Sequence, residues 1–311
     1  MASLREGNRK RVIDALRERG VASRAELARI TDLSRSTIST IVADLLESGL
    51  ANEREGGADG ETHAGRPPVM VALNSKAGLA VGIDFGHRHL RVAVSDLSHT
   101  VLAETWRELD VDHSADEGLD TAAAFVDDVL TEAGVDRSRV IGVGMGLPAP
   151  IDRSTGAVQA SSILPGWVGV DAAAEASRRL GLPVEVENDA NLGALAELVW
   201  GAGRGRSDLA YLKISSGIGA GLISGGRLQH GVGGTAGEIG HTVIADGGPV
   251  CRCGNRGCLE TLASSRSIAQ LLSTSRGELI STRRLLELSA EGDAAAQRLI
   301  GDAGRATGVA V

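Results

Sequence analysis

Between residues 8 and 50, apolar positions recur at helical spacing. Val12, Ile13, Leu16 and Val21 form one stripe, Leu27, Ala28 and Ile30 a second, and Ile38, Ile41, Val42, Leu45 and Leu46 a third. The pattern predicts three helices. Ser23, with Glu26 three residues on, makes a capping box at the start of the second, residues 24–31. Thr31-Asp32-Leu33 is a turn, Ser34 caps the third helix, and Gly49 follows its end after Glu47. Two short helices joined by a tight turn, the second opening with small polar groups, make a helix-turn-helix. Residues 50–54 and 69–73 then read as two strands of a β-wing, with a Gly-, Asp- and Glu-rich tip at residues 55–64.

From residue 80 onward, buried strands alternate with amphipathic helices, the signature of an α/β domain. Strands are predicted at 80–86, 90–96, 101–107, 140–146 and 210–214, and residues 184–191 read as a strand entering a helix that runs to about 200. Further helices are predicted at 115–134, at 261–272, at 282–290 and from 294 onward. Ile163-Leu-Pro165-Gly-Trp167 precedes one of them, and Trp167 packs either a ligand face or the core. The domain division predicted is 1–75 and 76–311.

The chain has 311 residues, enough for two or three domains and a sizeable core. Its net charge of −8 excludes binding of a polyanion by bulk charge, and the first 50 residues are only slightly basic. DNA binding therefore rests on specific groups. Arg35, Ser36, Thr37, Ser39 and Thr40 sit on the first turns of the third helix, where hydroxyls and an arginine suit phosphates and base edges. Arg24, Arg29, Arg54 and, at the wing, Arg66 are candidates for further phosphate or minor-groove contacts; an ordinary solvated polar face is the bland alternative. No run of about eighteen apolar residues is present and no apolar segment follows the N-terminal charges, so neither a membrane span nor a signal peptide is expected.

All three cysteines lie in Cys251-Arg-Cys253-Gly-Asn-Arg-Gly-Cys258, ten residues after His241. Three thiolates and an imidazole form a closed set for a structural zinc, and four protein ligands leave no open position for catalysis. The glycines at 254 and 257 let the loop fold back on itself. Such an ion would fix Glu238 and Glu260, and fixed carboxylates suit a polyol. Thiols gathered at a metal-like site fit a reducing cytoplasm.

Glu238-Ile-Gly-His241 and Cys251-x-Cys253-Gly-x-x-Gly-Cys258-x-Glu260 resemble the E-x-G-H and zinc motifs of the ROK family of repressors, open reading frames and sugar kinases. Asn188-Asp189-Ala190-Asn191 resembles the family's N-D-A-N run, in which the kinases use the aspartate as general base toward a sugar hydroxyl. The resemblance implies a two-lobed, actin-like, ribonuclease H-like sugar-kinase fold behind a winged helix-turn-helix. It implies a sugar site of Asn188, Asp189, Glu238, His241 and Glu260, and a zinc site of His241, Cys251, Cys253 and Cys258. His241 serves both only if one ring nitrogen takes the metal and the other faces the sugar.

Two loops depart from the kinase pattern. At Asp84-Phe-Gly86-His87-Arg88-His89 the kinases resemble D-x-G-G-T-K; a side chain at 87 is expected to crowd the phosphate approach, and the threonine hydroxyl is gone. In Ser215-Ser216-Gly-Ile-Gly-Ala220-Gly221, a serine and an alanine stand in the second phosphate loop. Family members usually continue through a last strand, a Gly-Gly turn and a closing helix at the adenosine, beyond what this sequence contains. The expectation is a cytoplasmic, non-enzymatic, sugar-responsive transcriptional regulator, a repressor of carbohydrate genes. Its partners would be operator DNA, a sugar or sugar-phosphate effector, and further copies of itself in a homodimer or dimer of dimers. An ATP-dependent sugar kinase with Asp189 as base is the alternative.

Overall fold

The computed structural model describes residues 2–55, 69–74, 77–152, 155–158 and 163–311. These fall into two compact units, Met1–Gly82 with Val92–Thr105 and Phe125–Val143, and Ile83–Arg91 with Trp106–Ala124 and Gly144–Val311.

The first unit opens with α1 (Ala2–Arg19), β1 (Val21–Ser23), α2 (Arg24–Thr31) and α3 (Arg35–Glu47), then β2 (Ala51–Glu55) and β3 (Val69–Leu73). The capping box forms: Ser23 Oγ accepts from the Glu26 amide and the Glu26 carboxylate accepts from the Ser23 amide. Ser34 caps α3 by accepting from the Thr37 amide, without a reciprocal bond from a Glu or Gln. The three strands pair antiparallel in the order β1-β3-β2. Val12, Leu16, Leu27, Ile38, Val42, Leu45 and Val71 are fully buried between helices and sheet. Two expectations shift. The first helix starts at Ala2, well before residue 8, and Val21 belongs to β1, where it is exposed. Pairing of Val21 with Ala72 decides this, a contact that helical periodicity does not contain.

The central elements are β4 (Leu79–Gly86), β5 (His89–Asp96), β6 (Val101–Glu108), α4 (Ala115–Glu132), β7 (Val140–Leu147), α5 (Ala172–Leu180) and β8 (Val184–Asn188). They form a five-stranded sheet in the order β6-β5-β4-β7-β8. Trp167 is a core residue: it is fully buried, meets Phe85 edge-on at 5.2 Å, and donates its indole N–H to the Val111 carbonyl at 2.8 Å.

α6 (Asp189–Val199) follows, then β9 (Leu209–Ile214), β10 (Ile218–Ser224) and β11 (Arg227–Gln229), paired β11-β10-β9. The chain closes with α7 (Leu259–Ala263), α8 (Ser265–Arg276), α9 (Thr282–Ala290) and α10 (Ala294–Ala310) around Leu259, Leu272 and Leu285. The single helix expected at 261–272 is two helices. Ser264 leaves helical geometry, and its buried hydroxyl accepts from the Ser267 amide to start α8. Among the described residues no helix is long and apolar enough to cross a membrane.

Candidate functional site

The cysteine loop folds back as its glycines suggest. The Cys251 amide donates to the Asn255 carbonyl and the Gly257 amide to the Pro249 carbonyl. Gly257 sits at φ +68°, and a Cβ there would come within 1.7 Å of the Ala245 carbonyl oxygen, so only glycine fits. The three sulfurs and the His241 ring nitrogens converge, with the ligand atoms all within 4.8 Å of one another. Cys253 and Cys258 sulfurs are 3.7 Å apart, and Cys251 Sγ is 3.5 Å from His241 Nδ1. A tetrahedral zinc with ordinary bond lengths demands edges of about 3.5–3.8 Å. The donor set fits such an ion. Burial and then the neighbouring sulfurs push the Cys258 thiol up to about 12, and burial raises Cys251, so holding them as thiolates calls for a compensating cation.

With Nδ1 toward the sulfurs, His241 Nε2 faces Glu238 at 3.8 Å. The two sides of the ring thus separate the candidate metal site from the cleft. Asn188, Asp189, Glu238, His241 and Glu260 all line one cavity of about 300 Å³, together with Pro148, Lys213, Ser216 and Arg252. Glu260 accepts from the Ile218 amide at 3.1 Å and pairs with Arg252 at 3.2 Å. Burial, with Asp189 and Glu260 close by, raises the Glu238 carboxyl to about 7. Glu238 can therefore both donate and accept near neutral pH. Asn188 is the N-cap of α6: its Oδ1 accepts from the Ala190 and Asn191 amides, and its Nδ2 donates to the Ala149 carbonyl at 3.3 Å. Asp189, the first residue of the helix, is free of that duty and pairs with Lys213.

On the loop after β4, His87 lines the cavity and pairs with Asp112 at 2.7 Å. It is His89 whose ring lies on Gly86, within 2.1 Å of where a Cβ would stand, while its Nε2 pairs with Asp84 at 3.0 Å. Burial alone would raise the Asp84 carboxyl, but His89, then Lys213 and Arg91, bring it below its ordinary value. In the second loop the glycines serve packing: a Cβ on Gly221 would meet the Ala190 carbonyl oxygen at 2.5 Å, and one on Gly217 the Glu260 carboxylate at 2.7 Å. Lys213 and His89 were not singled out from the sequence. The signal for Lys213 was a lone charge in an apolar strand, in a chain with only three lysines at 10, 76 and 213.

On α3, Arg35, Ser36, Ser39 and Thr40 are exposed and Thr37 is half-buried. Their hydroxyls make only local bonds: Ser39 to the Arg35 carbonyl, Thr40 to that of Ser36, and Thr37 with Ser34. No side chain among the described residues pairs with Arg35. Arg24 is held by Glu53 of β2 at 2.8 Å. Arg66 and most of the wing tip lie outside the described residues.

Residues 5–51 match the winged helix-turn-helix DNA-binding profile, and residues 80–311 match the ROK family profile. The xylose repressor of Bacillus subtilis (strain 168) is 33% identical over 272 residues, covering 88% of this chain and 69% of that protein. The crystal structure of a ROK family transcriptional regulator, a homologue of the Escherichia coli MLC protein, superposes with a TM-score of 0.80 at 27% identity, over 99% of this chain and 79% of that one. A ROK glucokinase from Streptomyces griseus, solved with glucose and AMPPNP, gives 0.67 at 28% identity, over 75% of this chain and 78% of its own. The chain has the ROK sugar-kinase-like fold behind a winged helix-turn-helix, and it belongs to the ROK family.

Proposed function

We propose that this protein is a sugar-responsive transcriptional repressor, with residues 1–75 as the DNA-binding part and residues 76–311 as the effector-binding part. One observation carries the reading. The wall that would hold sugar hydroxyls keeps Asp189, Glu238, His241 and Glu260, while the wall that would hold a nucleotide's phosphates is covered by His89 on Gly86. A pocket in that state binds without transferring phosphate. The repressor relatives favour the same reading.

Arg35, Ser36, Thr37, Ser39 and Thr40 of α3 contact the operator, supported by Arg24 and by Arg66 of the wing. Asn188 orders the helix start, and Asp189, Glu238, His241 and Glu260 bond the sugar hydroxyls. His241, Cys251, Cys253 and Cys258 hold zinc, which supplies a fixed cation that locks the Glu238 segment to the cysteine loop. Sugar and operator binding are then linked, each altering the affinity of the other by the same factor. The family's repressors and the absence of any membrane-crossing helix among the described residues fit a cytoplasmic regulator working as a homodimer or dimer of dimers.

The test is selection of an operator from a random DNA pool, followed by titration with D-xylose and D-glucose. Operator affinity should fall about 10–100-fold in Arg35→Ala, the loss of one good base or phosphate contact. An unchanged affinity in that variant would remove α3 from the groove. The kinase reading rests on Asp189 and on relatives such as the glucokinase. Steady turnover of sugar with MgATP that disappears in Asp189→Asn would replace the repressor reading with it.

A further inference from the structure

Lys213 has no part in the reading above. It stands in β9 between Leu212 and Ile214, and its ammonium enters the cavity to pair with Asp189. A half-buried ammonium loses hydration, and only a fixed partner offsets that. Asp84 lies within range of the same charge. The two carboxylates at this end of the cavity, which a divalent ion could otherwise use, thus already have a cation of the protein beside them.

Other basic groups of the cavity have partners too. Arg252 is held by Glu260, His89 by Asp84 and His87 by Asp112. Arg88, exposed on the loop before β5, is the cation left over among the described residues. A sugar hydroxyl beside the Lys213–Asp189 pair accepts from the ammonium and donates to the carboxylate, with the pair left intact. A phosphate dianion only accepts. In the same spot it could take a bond from Lys213 but would bring further negative charge against Asp189 and Glu260 with no proton to offer either.

We infer that Lys213 is a specificity-determining residue: a cation built into the sugar pocket, which bonds a neutral aldose and, by occupying Asp189, shuts out a divalent ion with its nucleotide, while the Asp189 and Glu260 carboxylates turn away a sugar phosphate. The choice of aldose as ligand rests on the function proposed above; the exclusion of the divalent ion does not.

The test compares wild type, Lys213→Met and Lys213→Arg, each checked for an unchanged melting curve and zinc content. The probes are Mn²⁺, followed by electron paramagnetic resonance, and D-xylose, D-glucose and D-glucose 6-phosphate, followed by calorimetry. Wild type and Lys213→Arg should take up no Mn²⁺ at about 1 mM, and Lys213→Met should take up one equivalent that Asp189→Asn removes. Affinity for the neutral sugar should fall at least about tenfold in Lys213→Met and recover in Lys213→Arg. The inference is overturned if Lys213→Met gains no Mn²⁺ and keeps its sugar affinity, or if wild type prefers the sugar phosphate. If wild type ignores both neutral sugars while Lys213→Met gains Mn²⁺, the exclusion stands and the sugar-responsive function falls.

Discussion

In the helix-turn-helix, Ser23 and Glu26 satisfy each other across three residues, and Ser34 caps α3 through Thr37. In the cleft, Lys213 reaches Asp189 across 24 positions and Ile218 reaches Glu260 across 42. The head secures its helix starts locally, over an apolar core, and reaches farther only with surface pairs such as Arg24–Glu53. It therefore offers hydroxyls and Arg35 on an open face suited to a large partner. The cleft secures its polar groups through distant partners, which orders them before a small ligand arrives. A substitution in the head should consequently have a contained effect, and one in the cleft should spread through its pairs.

The heaviest blow to the cleft side is loss of the metal. Cys253→Ser should leave the purified protein without zinc by elemental analysis and lower its melting temperature by roughly 10 °C or more, since structural zinc supplies several kcal/mol of folding energy. Full metal content in that variant would remove Cys253 from the ligand set. Glu238 gives a smaller, pH-dependent effect. Its folded-state pKa of about 7 lies above its ordinary 4.5, so the folded protein holds that proton more tightly. Its contribution to stability is present below about pH 4.5 and disappears as pH rises through 7. Glu238→Gln should lack this decline, and denaturant titrations at pH 4.5 and 8 should differ between the two proteins by about 3 kcal/mol. Parallel curves would contradict the raised value. The smallest effect is in the head. Ser23→Ala should cost about 1 kcal/mol in urea unfolding and leave sugar affinity alone. A change in sugar affinity there would break the contrast between local and distributed control.

The same contrast explains what could be read without coordinates. The helices from Ser23 to Gly49 were legible because caps and periodicity are written within a few residues. The metal set and Glu238 were legible because the motif is nearly contiguous, and its glycines have short-range reasons such as the Gly257 turn. Val21 misled because its partner Ala72 is distant and outbids the helical stripe. The break before α8 was missed because the Ser264–Ser267 cap lies inside an otherwise helical pattern. At residues 84–89 the residue types pointed to a crowded loop, but not to which side chain lies on Gly86. Which of His87 and His89 covers Gly86 depends on where Asp112 and Asp84 stand, and that is a matter of tertiary arrangement.

Gly237 carries a last consequence. It sits at φ +93°, its carbonyl accepts from the Ala220 amide at 2.7 Å, and a Cβ would lie 1.9 Å from the Ala220 oxygen. Gly237 itself is thus pressed against β10, while residues 231–233 before it stay exposed. A ligand that pulls on Glu238 should therefore draw on that strand through the adjoining residue.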